Sequence, residues 1–589
     1  MRLGYFAVFG SAFVAFFVSV ASCTSVATSR FGNAVDDGGA TTRADSGQSL
    51  GDGGLPSGGN YCSGDLRSVV DAQGAVIEAC DEDKGCANGQ CVPACDAASA
   101  SKGNIGCNFL LTTPSFINVI NPPCHAAFLA NAWPRDAQLT VTRAGTAYDV
   151  TKFGRIANSG SVSTWKPVPS TGVPPGEVAV LFLSQTAGSS GSFACPVTPA
   201  LVGITGVFTG GSAATGKSSG FTITSSMPVS AYDILPFGGA TTYLPSAQLL
   251  MPTSAWSTNF VAALPPAPNR ETSYSADHWL QVIAATDNTE VSIVPNKVLP
   301  MGVGVPSAPS NTLTKYTLNA GEFIQWQSTG DISGSVISST QPIAVMGGQT
   351  YLCWNTATSN TGGCDSTHQL VPPVSALGSV YAIVPPRSRG TAEESLSYRI
   401  VGTVDATELT FDPPVAAAPK TVSGGGVWTF EARGAFSVKS QDNSHPFLVA
   451  QVMAGSNGGI GDEEYVNVLP PAQFLSKYIF FTDPSYTNTH LAIVRVKGTN
   501  GFSDVEIACS GKVSGWKSVG SEGAYEVATV QLVSSGVGVN GCTNGPQSAK
   551  SDAPFGVVVW GLDKDSSYAY PAGGNAAGIN QVVIPAVPR

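Results

Sequence analysis

Gly211-Ser212-Ala213-Ala214-Thr215-Gly216-Lys217-Ser218 matches the phosphate-loop pattern G-x4-G-K-S letter for letter. Such a loop works when a strand enters it and a helix leaves it, so that backbone N–H groups converge on the phosphates. Here Ser219-Gly220-Phe221-Thr222-Ile223-Thr224 follows, a break and then strand-forming residues. The segment therefore reads as a surface turn, with no nucleotide as partner. Gly536-Val537-Gly538-Val539-Asn540-Gly541 fits the dinucleotide pattern G-x-G-x-x-G but runs into Cys542-Thr543-Asn544-Gly545, which offers no helix to receive a pyrophosphate. His125, His278, His368, His445 and His490 are far apart in the chain. No pair has metal-ligand spacing on one element, and no G-x-S-x-G nucleophile turn is present. Asp462-Glu463-Glu464 could act as paired acids or hold calcium, but the flanking Gly458, Gly459 and Gly461 make a solvated loop the expectation. Asp81-Glu82-Asp83 lacks the alternating ligand spacing of a calcium loop. The expectation is a non-catalytic protein with no cofactor and no metal.

The 13 cysteines carry a different chemistry. Cys23 follows Val20-Ala21-Ser22, and before them come Arg2 and an apolar run from Leu3. That order reads as an export signal, and small residues directly before a Cys resemble the lipobox of bacterial lipoproteins. Cys23 is then the lipid anchor, with a membrane as partner and the bacterial cell envelope as location. The alternatives are ordinary cleavage beside an incidental Cys, or a spanning helix, although no basic stop-transfer cluster follows. Twelve cysteines remain, an even number in an oxidising compartment, which predicts disulfides. Cys62, Cys80, Cys86, Cys91, Cys95 and Cys107 crowd into a module too small to bury a sufficient core. A zinc site built on Cys86-x4-Cys91-x3-Cys95 is the rival there, but the module contains no His. The simplest remaining pairs are Cys124 with Cys195, Cys353 with Cys364, and Cys509 with Cys542.

Short strands and turns must position these groups. Charged residues are 12% of the 589, against 67 Gly and 40 Pro, a composition that suits strands and tight turns better than surface helices. The net charge of −11, with no long Lys/Arg run, makes nucleic acid an unsuitable partner. Residues 24–60, rich in Gly, Asp and Ser, read as a linker with a reach of roughly 30–35 Å. From 108 to 589 three elements recur in one order. A turn leads into an apolar strand at Ser225-Ser226-Met227-Pro228-Val229, Ser339-Thr340-Gln341-Pro342-Ile343 and Ser551-Asp552-Ala553-Pro554-Phe555, with a looser copy at Ser444-His445-Pro446-Phe447. Hairpins surround Asp287-Asn288-Thr289-Glu290 and Asp405-Ala406-Thr407-Glu408, and apolar-Pro pairs stand at Met251-Pro252, Pro372-Pro373, Pro470-Pro471 and Ile584-Pro585. The period is roughly 110 residues, the size of a small β-sandwich rather than of a 40–45-residue propeller blade. An all-β fold of about four tandem β-sandwich-like repeats is expected, with a β-propeller as the alternative.

Leu318-Asn319-Ala320-Gly321-Glu322, the stretch from Asp331 to Ile337, Gln341-Pro342-Ile343-Ala344-Val345-Met346-Gly347-Gly348, Cys353, Cys364-Asp365 and Pro372-Pro373-Val374-Ser375-Ala376-Leu377-Gly378 together resemble the N-terminal domain of the IgG Fc-binding protein family. The likeness extends weakly over about 107–589. It implies surface binding or adhesion without catalysis, with an extracellular glycoprotein or polysaccharide as the expected partner. The family often has His two residues after the second Cys, where this chain has Ser366. Trp354, inside the Cys353–Cys364 loop, is the candidate ligand contact, because an aromatic there would stack on a sugar or peptide; the alternative packs it beneath its own loop. A structural envelope protein and an exported hydrolase are the rival functions.

Overall fold

A proline divides the longest strand of each repeat into an outer and an inner half. The computed structural model describes residues 59–117, 123–203, 215–360 and 362–588; Cys23, the export segment, nearly all of the linker and Gly211–Ala214 lie outside them. The long strands are Phe221–Leu235, Val336–Leu352 and Gly545–Asp563, and the third repeat splits its copy into Phe436–Lys439 and Phe447–Met453. Before the proline the strand is buried on one face only, as in Phe221-Thr222-Ile223-Thr224-Ser225, where burial alternates. After it the strand is buried on both faces, as in Val229 to Leu235. Pro228, Pro342, Pro446 and Pro554 mark the crossover. A proline cannot donate to the ladder, so it is tolerated only where pairing changes hands. In the first two repeats the turn's serine meets the local deficit: Ser225 Oγ donates to the Met227 carbonyl and Ser339 Oγ to that of Gln341, both at 2.6 Å. In the last two a tyrosine hydroxyl pins the bend instead, Tyr381 to the Phe447 carbonyl and Tyr478 to that of Phe555.

Strand order around the long strand is the same in all four repeats. Its outer half pairs with the first and third strands: Ile105–Leu111 and Leu139–Arg143, Ser257–Val261 and Thr289–Val294, Val380–Ile383 and Thr410–Asp412, Leu475–Thr482 and Val505–Ile507. Its inner half pairs with the second strand (His125–Asn131, His278–Ala284, Leu396–Gly402, Asn488–Val496) and with a closing strand (Ser246–Leu250, Asp365–Leu370, Glu464–Asn467, Ser566–Pro571). The bent strand thus joins two layers into a half-barrel. The chain is all-β with a disulfide-rich N-terminal region, and no propeller closes, because each repeat is double-layered rather than a single four-stranded blade. The four closing strands lie side by side around a common centre, each against the next and the fourth against the first.

Apolar clusters fill the seams between repeats. One joins the first and fourth, where Tyr232 stacks on Phe128 at 4.9 Å and on Tyr570 at 4.7 Å. Others join the second to the third and the third to the fourth. Three disulfides hold the N-terminal module, Cys62–Cys86, Cys80–Cys91 and Cys95–Cys107, the last tying the helix Ala94–Ser101 to the first repeat. The module packs there through Arg67, whose guanidinium lies 4.8 Å over the Trp133 ring. The remaining pairs are Cys124–Cys195, Cys353–Cys364 and Cys509–Cys542. Three of the apolar-Pro pairs lead into short helical turns at Thr253–Ala255, Val374–Ala376 and Pro471–Gln473. Ile584-Pro585 does not: Ile584 plugs the seam between the second and third repeats, and Asn259 holds it through its backbone N–H and carbonyl.

Candidate functional site

The connections from long strand to closing strand all emerge at one end of the centre, and together they wall a cleft of about 470 Å³. The first repeat contributes Tyr243 and Leu244, the second Tyr351, Gly363 and Cys364, the third Asp462 and the fourth Asp565, while Tyr274 reaches in from the segment before His278. Tyr243 and Tyr274 are 53% and 46% exposed. Tyr243 also has φ of 63°, a left-handed conformation rare for a bulky residue. Such positions concentrate at functional sites. Tyr274 meets Tyr351 edge-on at 5.6 Å.

The Cys353–Cys364 bond shapes one wall, and Gly363 packs so closely on Asp462 that an added Cβ would lie 2.4 Å from Oδ2. Trp354 does not line the cleft. It is half-buried at the seam between the second and third repeats, with its indole N–H donating to Ser397 Oγ at 2.8 Å and its backbone N–H to Glu463 Oε1 at 2.8 Å.

Asp462-Glu463-Glu464 is not the solvated loop its glycines suggest. All three are buried, because Gly458, Gly459 and Gly461 take left-handed conformations that turn the chain inward to start the closing strand. Glu464 ties three repeats together, accepting from Ser246 Oγ at 3.1 Å, the Ala569 N–H at 3.0 Å and the Tyr465 N–H at 2.8 Å. Arg270 bonds to Glu463 at 2.9 Å and to the Gly362 carbonyl at 3.0 Å. Asp365 is fully buried beside these acids, and neither of its carboxylate oxygens has a hydrogen-bond partner. Burial, then the charges of Asp462, Glu463 and Glu464, pushes its carboxyl well above the ordinary range. Burial likewise raises Asp462, Glu463 and Glu464.

A second buried cluster unites histidines that the sequence leaves far apart. Asp233 accepts from His125 Nε2 and His368 Nε2, both at 3.1 Å, and from Gln248 Nε2 at 3.2 Å. Thr113 Oγ1 lies 3.5 Å from His125 Nδ1 and 3.2 Å from Ser184 Oγ. The set has the residue types of a hydroxyl–His–Asp relay, but every member is buried and none lines the cleft; through His368 it joins repeat two to repeat one. Ser366, two residues after Cys364, donates to the Thr350 carbonyl at 2.7 Å. Lys217 of the phosphate-loop match stands on the strand Gly216–Ser219 and pairs with Glu322 at 2.8 Å.

The family described as IgGFc binding protein matches residues 246–561, more than half of the chain. The human IgGFc-binding protein is 24% identical over 330 residues, which is 55% of this chain and 6% of the human protein's length. The matched segment contains the second and third repeats whole, the closing strand of the first, the Cys353–Cys364 loop and Asp462 of the cleft, and the buried Asp365 behind it. The family's name points to a binding protein rather than an enzyme. The chain belongs to the IgGFc-binding protein family.

Proposed function

We propose that this chain is a non-catalytic adhesion or binding protein of the bacterial cell surface, held there by a lipid on Cys23, and that it engages an extracellular glycoprotein or polysaccharide at the axial cleft. The observation that carries this reading is the cleft itself, walled by all four repeats and edged by the exposed rings of Tyr243 and Tyr274. Exposed aromatic rings on connections braced by rigid sheets are the usual instruments of recognition.

The full processed protein, applied to an array of immobilised mucins, other extracellular glycoproteins and polysaccharides, should show a sharp preference. Tyr243→Ala with Tyr274→Ala should weaken the preferred interaction at least tenfold while leaving the melting temperature within a degree or two, since both rings are already half in water. Undiminished binding by that variant would remove the cleft from the function. The anchor is tested separately: Cys23→Ala should abolish incorporation of radiolabelled palmitate, and persisting label would refute it.

A further inference from the structure

We propose that the axial cleft accepts a cationic side chain, a lysine ammonium or an arginine guanidinium, presented by the extracellular partner. The inference rests on the cleft being the binding site and names the chemistry it selects. Its aromatic side consists of Tyr243, Tyr274 and Tyr351, and its acidic side of Asp462 and Asp565. Ring faces attract cations through their quadrupole, most strongly where water is partly excluded. Behind the acidic side lie Asp365, Glu463 and Glu464. Among the described residues one cation, Arg270, bonds to this group of carboxylates, and it is engaged by Glu463 and the Gly362 carbonyl.

Asp365 lies behind the cleft and does not line it. It is fully buried, and both of its carboxylate oxygens lack a hydrogen bond. Buried carboxylates are ordinarily paired, because an unpaired one is costly. A cation seated between the tyrosines and Asp462 would supply positive charge that the connections withhold. A metal ion fits less well, since among the described residues no three acidic, His or Cys side chains are gathered at ligating positions. The volume, about 470 Å³, suits a long side chain rather than a bare ion.

The test uses the full processed protein and fluorescent hexapeptides of lysine, of arginine, of Nε-acetyl-lysine and of glutamate, read by anisotropy. The lysine or arginine peptide should bind, and the acetylated and acidic peptides should bind at least tenfold more weakly. Tyr274→Ala and Asp565→Asn should each weaken the cationic peptide about fivefold. Asn tolerates the left-handed turn that Asp565 occupies (φ 48°), so that variant should fold. Glu408→Gln, an exposed acid in the third repeat away from the cleft, controls for the general attraction of an acidic protein and should change nothing. Equal binding of lysine and acetyl-lysine peptides, or equal losses in the Glu408→Gln control, would overturn the inference. If the cleft variants lose the array partner while no cationic peptide binds, the binding function stands and the cation selectivity falls. If neither responds to the cleft variants, both fall.

Discussion

Asp233→Ala should lower the unfolding free energy by roughly 3–5 kcal/mol, the usual cost of removing one partner from a buried charged cluster. Three donors converge on this carboxylate from three strands: His125 on the second strand of repeat one, Gln248 on its closing strand and His368 on the closing strand of repeat two. Alanine would leave two imidazole N–H groups and an amide without an acceptor in a place water does not reach. Asp233→Asn keeps one acceptor oxygen and should cost less. Burial would raise the Asp233 carboxyl, but His368 and His125 outweigh it and hold it at about 2. A depressed folded value contributes stability that is present above the ordinary carboxyl value near 3.8 and is lost as pH falls toward 2. The wild-type protein should therefore lose stability between about pH 4 and pH 2, and Asp233→Ala should have lost this part of that slope. Chemical denaturation read by fluorescence supplies the midpoint, with an unchanged m-value showing that the fold is retained. A midpoint within error of the wild type would mean the trio is not bearing the seam.

The repeats were legible because their signals are local. Each proline had to mark a ladder change, and Asn288 and Ala406 occupy the same left-handed turn position in their hairpins, with φ of 55° and 56°. Composition and the recurring strand and hairpin motifs together point to an all-β chain. The cleft was not legible, because no two of its walls are near in sequence: Tyr243, Tyr351, Asp462 and Asp565 meet only when four closing strands gather at the centre. The same gathering explains the histidines. His125 and His368 are separated by two half-barrels in the chain and by a single carboxylate in space. Asp462-Glu463-Glu464 departs from its local pattern because glycine-flanked acids are normally solvated, whereas burial here is imposed by neighbouring repeats. Trp354 stands out in the sequence through its disulfide loop, whereas the exposed rings of the cleft, Tyr243 and Tyr274, carry no sequence signal beyond being aromatic.

Asp365→Asn should make the protein more stable at pH 8, by about 3 kcal/mol, the scale of an uncompensated buried charge. The side chain has no hydrogen-bond partner at either oxygen and faces three further acids, so its ionised form is the unfavourable one. The carboxyl is raised on folding, first by burial and then by Asp462, Glu463 and Glu464. The folded state therefore binds this proton more tightly than the unfolded chain does. Its contribution to stability is complete below the ordinary value near 3.8 and is lost as pH climbs through the raised one. Asparagine never ionises, so the advantage of the variant should be small at pH 4.5 and grow towards pH 8. Glu463 and Glu464, raised by the same burial, should leave a shallower slope of the same sign in the variant. The Asp233 trio acts below pH 4, in a separate window. Denaturation midpoints for both proteins at intervals from pH 4.5 to 8 decide the matter. A difference that does not change with pH, or a variant less stable at pH 8, would show that Asp365 is held by something other than an unpaired buried charge. If a cationic side chain is what the cleft takes, lysine peptide should stabilise the wild type most at the alkaline end, where the cluster most needs a positive partner.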